Sequence, residues 1–272
     1  MKNTLNLFAL LAFALSTTTL HSDTVNVPPG INHDAWDDLV SRYVDDEGLV
    51  NYEAWKENSE DIAALDGYLA QYAPEVSTLD ENNEAIAALI NAYNAFTIQW
   101  ILQNYPTESI KKLRGSWNSR RHLIGGRQVS LDEIEHDTLR PLIGWKVHAV
   151  VVCAARSCPP LYNQAFIGDI LETQIEERYR AWLAREDLNA FDRGSNRIAI
   201  SKIFSWYEED YTEEAPLPVT LSEVLSKYAP ESYKDFLASG DYSLDYKDYH
   251  WGLNDQGDLG IAYQPRLWDS FF

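Results

Sequence analysis

Both cysteines of the chain lie in one short stretch, VVCAARSCPP, at residues 151–160. Cys153 and Cys158 stand five residues apart at the end of the most apolar short run in the sequence. A thiolate can serve as a nucleophile when a base lies nearby, and two thiols can form a disulfide in an oxidising compartment. Inert packing is the third alternative. The spacing fits none of the compact zinc patterns, so we predict no metal site and no other cofactor.

Cys153 is the stronger candidate nucleophile. The run KVHAVVVCA, residues 146–154, is β-branched and apolar and predicts a buried strand that ends at this cysteine. The loop that follows contains Arg156 and Ser157, and such loops often carry functional residues. Arg156 is expected to lower the pKa of a nearby thiol and to bind substrate together with Ser157. Because strand side chains alternate, His148 is expected to point away from Cys153 and to be a core residue.

The candidate base is His136, in the stretch SLDEIEHDTLR. Ser130 and Glu133 form a capping-box signature, which predicts a short helix that stops at Pro141. On that helix His136 lies at the border of the apolar face, and from there an imidazole could take the proton of a thiol.

Glu135 is expected on the apolar side of the same helix, in an i, i+4 stripe with two leucines. A buried carboxylate needs a partner. Glu135 could orient the imidazole of a catalytic histidine, or it could form a structural ion pair with Arg120, Arg127 or Arg140.

Asn91 and Asn94, in the stretch LINAYNAF, are i, i+3 neighbours at the edge of the apolar face of a long predicted helix. Amides placed in this way usually bond to the backbone. They could also orient an imidazole or donate to an oxyanion, so Asn94 remains a catalytic candidate and Asn91 a substrate-binding one.

The overall charge excludes one class of partner. The formal net charge of the 272 residues is −20, so we predict no binding to nucleic acid or to anionic membranes. Against this background, residues 111–128 form a basic island without a single acid. Its arginines either hold an anionic group of a small-molecule or peptide substrate, or pair with surface acids. The arginines proposed for substrate binding are Arg120, Arg121 and Arg127.

The N-terminus predicts export. Residues 1–22 have a basic start, a short apolar run and a small-residue exit, the layout of a signal peptide, and we place cleavage between residues 16 and 24. The mature protein is then expected to be periplasmic or secreted. No later segment looks long and apolar enough to cross a membrane. Oligomeric state is left open.

The remaining sequence predicts a single α+β domain, with several helices packed on a small sheet. A helix is expected over 33–46, a second one ending near Pro74, and a long one capped by Asp80 and ending near Asn104. Further helices are predicted over 166–185, around KIFSWYEEDY and after Thr220. Strands are predicted at RIAIS, 197–201, and in the closing DYSLDYKDYHW.

Five motifs together resemble the family of domain of unknown function 547. They are LINAYNAFTI, SLDEIEH, VHAVVVCAARSCPPL, SKIFSWYEEDY and YHWGLN, in that order, and they predict an exported bacterial member of that family. The resemblance implies a DUF547-like domain over 45–254, which leaves an N-terminal leader and first helix over 23–44 and a C-terminal tail over 255–272.

The resemblance bears on three single residues. In relatives the position of Cys153 is usually cysteine, whereas that of Cys158 can be serine, which weakens a disulfide as a role for the whole family. His250 stands where relatives often have aspartate, and it therefore becomes a second candidate base.

The leading functional hypothesis is a thiol-dependent hydrolase or acyl-transferase that acts on an amide or thioester of an anionic substrate. Cys153 would attack the carbonyl, His136 would move the proton, and Glu135 or Asn94 would orient the imidazole. This is the logic of papain-like and transglutaminase-like enzymes, although those place the cysteine at a helix N-terminus. The alternatives are a peptide- or glycan-binding module without catalysis and a redox protein that cycles the Cys153–Cys158 pair.

Overall fold

The computed structural model describes residues 24–76 and 81–263. The predicted signal peptide, residues 1–22, lies outside the described residues, as does the end of the predicted tail. The described part is about half helical with a small sheet, and the α+β prediction is confirmed.

Helices make up about half of the described chain. In chain order the α-helices are α1 Asp34–Tyr43, α2 Tyr52–Glu57, α3 Ser59–Ala70, α4 Asn83–Asn104, α5 Leu131–Ile134, α6 Arg140–Ile143, α7 Leu171–Ala184, α8 Ile203–Trp206, α9 Leu221–Tyr228 and α10 Lys234–Ser239. The predicted helices are thus present, and that expected to end near Pro74 is divided into α2 and α3.

The strands are short and form two sheets. They are β1 His122–Ile124, β2 Arg127–Val129, β3 Ala190–Asp192, β4 Arg197–Ile200 and β5 Ser243–Tyr246. β1 and β2 form an antiparallel pair with His122 opposite Val129. In the second sheet the order is β3-β4-β5, with β3 antiparallel and β5 parallel to β4. The strands predicted at 197–201 and near the end of the chain correspond to β4 and β5.

The core is built around α4, which packs against α2, α3 and α5. Its mean hydropathy and its 22 residues would also suit a membrane span, contrary to the sequence-based expectation, but 89% of the relevant window is buried within the fold. We therefore describe α4 as the central helix of the core. It begins at Asn83, and the side chain of Asn82 caps it by accepting from the amide of Ala85. Asp80, the predicted cap, lies outside the described residues.

The strand predicted over 146–154 is wrong. Residues Gly144–Ala149 form a 3-10 helix, and the chain continues to Cys153 without regular structure. Asn94 of α4 takes the place of a strand partner, because its amide donates to the carbonyl of Val150 and accepts from the amide of Val152, at 2.8 and 2.9 Å. This segment is apolar because the core surrounds it, not because it lies in a sheet.

The helix predicted to stop at Pro141 instead continues through it. The capping box is present, since the Ser130 hydroxyl accepts from the Glu133 amide and the Glu133 carboxylate accepts from the Ser130 amide. After α5 the chain widens into a π-helix, Glu135–Leu139, and then enters α6, where Pro141 lies in the first turn. The amide of Arg140, just before Pro141, donates to the carbonyl of Glu135 five positions earlier, so the helical segment is continuous up to the proline.

Candidate functional site

One cavity of about 700 Å³ collects most of the predicted chemistry. Cys153 and Cys158 line it together with Glu135 and His136. These four side chains come from two separate segments, the cysteine loop and the π-helix. The structure therefore brings the thiols, His136 and Glu135 to one cavity, as the catalytic hypothesis from the sequence requires.

The cysteine loop is held by the end of the described chain. The amide of Arg156 donates to the carbonyl of Gly252 at 2.8 Å, and the amide of Asn254 donates to the carbonyl of Ala154 at 3.1 Å. Ser157 also serves this contact, because its hydroxyl accepts from the amide of His250 at 2.8 Å. Ala154 adopts a φ of 58°, a left-handed conformation uncommon for residues other than glycine. This turn brings Cys158 back beside Cys153.

Both cysteines are free thiols, and they meet at one hydroxyl. Tyr249 Oη lies 3.1 Å from Cys158 Sγ and 3.4 Å from Cys153 Sγ, while the amide of Cys153 donates to Cys158 Sγ at 3.2 Å. Burial opposes ionisation of Cys158, but the hydrogen bonds it receives from Cys153 and Tyr249 lower its pKa. The hydrogen bond to Cys158 and burial raise the pKa of Cys153. The thiolate is therefore favoured on Cys158, whereas the sequence favoured Cys153.

The π-helix delivers Glu135 and His136 to the cavity. Such a segment holds an extra residue in one helical turn and is often found at functional sites. The Thr138 hydroxyl supports it by donating to the carbonyl of Glu133 at 2.9 Å. Glu135 is 9% exposed, and its carboxylate bonds to the hydroxyl of Tyr93, which also lines the cavity. Nothing in the sequence signals this local widening.

A second imidazole lines the cavity, and the sequence analysis assigned it to the core. His148 Nε2 lies 2.7 Å from Asp210 Oδ2, and the imidazole stacks on Tyr207 with 4.2 Å between ring centroids. Nδ1 has no hydrogen-bond partner within 24–76 and 81–263. The predicted strand had turned His148 away from Cys153; the 3-10 helix removes that alternation.

Asp210 is suited to orient His148. Burial opposes its ionisation, yet the hydrogen bonds from His148 and Arg140 prevail and lower the pKa of Asp210 to about 2. Arg140 Nε donates to Asp210 Oδ2 at 2.6 Å. An ionised carboxylate that is held by an arginine fixes the imidazole it bonds, as in Cys–His–Asp constellations. The sequence signal that could have identified Asp210 is its position as the last of three acids in the SKIFSWYEEDY motif.

Aromatic rings and charges line the rest of the cavity. Trp206 and Trp251 stack at 5.8 Å between centroids, and Tyr249 packs on both. Of the basic island, Lys111 and Arg114 line the cavity, and Lys111 Nζ lies 4.2 Å from the centre of the Trp251 ring. No group of three or more histidine, cysteine or acidic side chains within the described residues is arranged to hold a metal ion.

The arginines predicted to bind substrate do not line this cavity. Arg120 and Arg127 bond to the two oxygens of Glu133, at 2.9 and 3.0 Å. Arg121 lies over the ring of Trp100 and donates to the carbonyl of Gly115. Arg156 donates to the backbone carbonyls of Asp255 and Gly257, so it neither faces the thiols nor lowers the pKa of Cys153.

The two asparagines also have structural partners. The Asn91 amide donates to the carbonyl of Phe166 and accepts from its amide nitrogen, at 2.8 and 2.9 Å. Asn94 bonds to residues 150 and 152, as described above, and neither amide lines the cavity. The predicted ion pair of Glu135 with Arg120, Arg127 or Arg140 is not formed, because these arginines bind Glu133 and Asp210. His250 Nδ1 accepts from the amide of Gly252, away from the cavity.

The fold and site define an α+β protein with a thiol-lined cavity. Residues 76–183 match the model of the family described as "Protein of unknown function, DUF547". The resemblance to this family that was inferred from the motifs is confirmed over these residues. The match includes the π-helix, His148 and both cysteines, whereas Asp210 and Tyr249 follow it. No curated protein and no solved structure gives a significant match.

Proposed function

We propose that the protein is a thiol-dependent acyl-transfer enzyme, a hydrolase or transferase acting on an amide or thioester. The supporting observation is the shared cavity, which brings a hydrogen-bonded thiol pair together with an imidazole bonded to an ionised aspartate. Nucleophile, base and orienting acid are the three parts that covalent acyl transfer requires.

The thiol pair supplies the nucleophile. One proton leaves the pair to His148 Nδ1, and the negative charge rests on Cys158, where the Cys153 amide and the Tyr249 hydroxyl donate to it. Cys158 then attacks the acyl carbon, so a carbon–sulfur bond forms. The imidazolium returns its proton to the leaving nitrogen or sulfur as that bond breaks. Water or an amine subsequently cleaves the thioester intermediate.

His136 and Glu135 complete the proposed site. His136 lies on the same cavity and is the alternative base that the sequence favoured, but it has no hydrogen-bonded carboxylate among residues 24–76 and 81–263. Asp210 gives His148 this advantage. Substituting each histidine by glutamine therefore separates the two candidates.

The first experiment is alkylation of the purified protein with iodoacetamide across pH, with and without reductant, with the label located by mass spectrometry. Rapid labelling of Cys158 well below pH 8 supports the proposal. His148→Gln should then slow formation of an acyl-enzyme from a simple thioester by at least about tenfold, and His136→Gln should do so far less. If both thiols react only after unfolding, acyl transfer is excluded and a binding module remains.

A redox role is the second candidate, because the two thiols share the Tyr249 hydroxyl and are hydrogen-bonded to each other. Such a pair could close to a disulfide while reducing a disulfide substrate. The same alkylation decides between the two. A redox protein protects both cysteines after treatment with oxidised glutathione and releases them with dithiothreitol, and it forms no acyl-enzyme.

A further inference from the structure

Two carboxylates on the cavity wall have no arginine or lysine partner among the described residues, whereas other buried carboxylates of the protein do. Three largely buried acids, Asp61, Glu133 and Asp210, each bond to an arginine. Asp132 and Glu135 have no ion pair with any residue of the described ranges. Both face the cavity and come from consecutive turns of one helical segment.

This arrangement is electrostatically costly for the protein alone. Burial raises the pKa of Asp132, and the charge of Glu135 raises it further, although His136 acts in the opposite direction. Two like charges beside apolar walls are stabilised when a cation enters. Trp206 and Tyr249 also line the cavity, and aromatic rings attract ammonium groups.

The opposite charges of the cavity lie on another segment. Arg114 is exposed, lines the cavity and has no hydrogen bond or ion pair with a described residue. Lys111 lies over Trp251 on the same segment. The cavity therefore presents an acidic wall and a basic wall, which complement a dipolar molecule rather than the purely anionic substrate expected from the basic island.

We propose that the cavity binds an amino-acid-type substrate, whose ammonium group meets Asp132 and Glu135 and whose carboxylate meets Arg114. This inference rests on the proposed acyl transfer and names its substrate class. Glu135 and both cysteines line the same cavity, so an ammonium group bound at Glu135 shares that space with the thiols. The acyl donor is then an aminoacyl amide or thioester with a free amino group, and the carboxylate that meets Arg114 belongs to its leaving group, as in a dipeptide.

The test uses thiol reagents of opposite charge on the full protein. Cationic 2-aminoethyl methanethiosulfonate and anionic 2-sulfonatoethyl methanethiosulfonate react by the same step: the thiolate attacks sulfur, a mixed disulfide forms, and methanesulfinate leaves. The ratio of their second-order rate constants cancels the thiolate fraction, so it reports the charge around the thiol. A cation preference alone is expected from a net charge of −20, and therefore the variants decide.

Glu135→Gln should lower the cation-to-anion rate ratio by about fivefold, since one unit charge near the thiol is removed. Asp137→Asn is the matched control. It removes one negative charge from the same π-helix, but Asp137 is exposed and does not line the cavity. Its ratio should change by less than about twofold, because solvent screens an exposed charge.

Equal ratios in Glu135→Gln and Asp137→Asn, with thiols that still react, would overturn the inference and leave acyl transfer standing. Thiols that react with neither reagent in the folded protein would instead refute the proposed function. Should Glu135→Gln fail to fold, Asp132→Asn carries the same test on a half-buried side chain that has no hydrogen bond to a described residue.

A second measurement addresses the ligand directly. Amino-acid amides should raise the melting temperature of the protein, and their N-acetylated counterparts, which lack the ammonium charge, should not. Arg114→Gln should weaken the effect of dipeptides with a free carboxylate, whereas Lys112→Gln, which removes a neighbouring lysine paired with Glu108, should not. Equal shifts with acetylated and free amides would contradict the proposed substrate class.

Discussion

Replacement of Tyr249 by phenylalanine removes one hydroxyl and leaves the ring in place. The ring packs against Trp206 and Trp251, with centroids 4.7 and 4.6 Å away, so the aromatic wall should persist. The lost hydroxyl lies 3.1 Å from Cys158 Sγ, and it donates to that sulfur in the proposed thiolate state. Because hydrogen bonds to charged groups contribute about 1.5 kcal/mol or more, the pKa of Cys158 should rise by about one unit.

The assay is the rate of iodoacetamide alkylation at Cys158 from pH 5 to 10, followed by peptide mass spectrometry. The midpoint of the profile should move upward by about one pH unit, and the rate at pH 7 should fall by about tenfold. Tyr246→Phe, which removes a hydroxyl from β5 outside the cavity, should leave the profile unchanged. An unshifted midpoint in Tyr249→Phe, or one moved to lower pH, would refute the assignment of the thiolate to Cys158.

Three further results are expected. The fold lowers the pKa of Asp210 to about 2. The stability that its carboxylate confers should therefore be complete above its ordinary pKa of about 3.9 and be lost as pH falls through about 2. In urea unfolding, Asp210→Asn should lower the free energy of unfolding by roughly 2 kcal/mol at pH 6 and by almost nothing near pH 2. Glu133→Gln should lower the free energy of unfolding by about 3 kcal/mol, because Arg120 and Arg127 lose a buried partner. Glu223→Gln, in the exposed capping box of α9, is the control and should lower it by less than about 1 kcal/mol. Equal losses in the two variants would contradict the role of the ion pairs. Gly252→Ala should make the cysteines more accessible to alkylation. An added Cβ overlaps the carbonyl oxygen of Gly260 and should displace the segment that holds residues 154–157. Unchanged accessibility would show that this contact does not position the loop.

Features with local signals were predicted well. The capping boxes at Ser130 and Thr220 begin helices where the sequence places them, because caps act between residues three positions apart. The long helix was found from its apolar periodicity. Its exact start was missed, since several polar residues before it are suitable caps.

Features that depend on distant contacts were missed. Residues 146–154 resemble a strand because both strands and buried irregular segments are apolar, and only the bonds to Asn94 distinguish them. Because a strand was expected, His148 was predicted to point away from Cys153, whereas it lines the same cavity as both thiols. One alternative from the sequence was an ion pair of Glu135 with Arg120, Arg127 or Arg140, whereas the capping box holds Glu133 within reach of the first two. Of the predicted catalytic residues, Cys153, His136 and Glu135 share the cavity with Cys158, and Asn94 does not.

The bonds between the cysteine loop and residues 250–254 have a consequence for the order of folding. They join parts of the chain that are about a hundred residues apart, so they are among the last contacts a chain under synthesis can make. Before Tyr249 and its neighbours leave the ribosome, the two thiols have neither their shared hydroxyl nor the backbone that shapes their turn. Assembly of the thiol site should therefore coincide with completion of the domain, and a nascent chain that ends before Tyr249 should have thiols of ordinary reactivity.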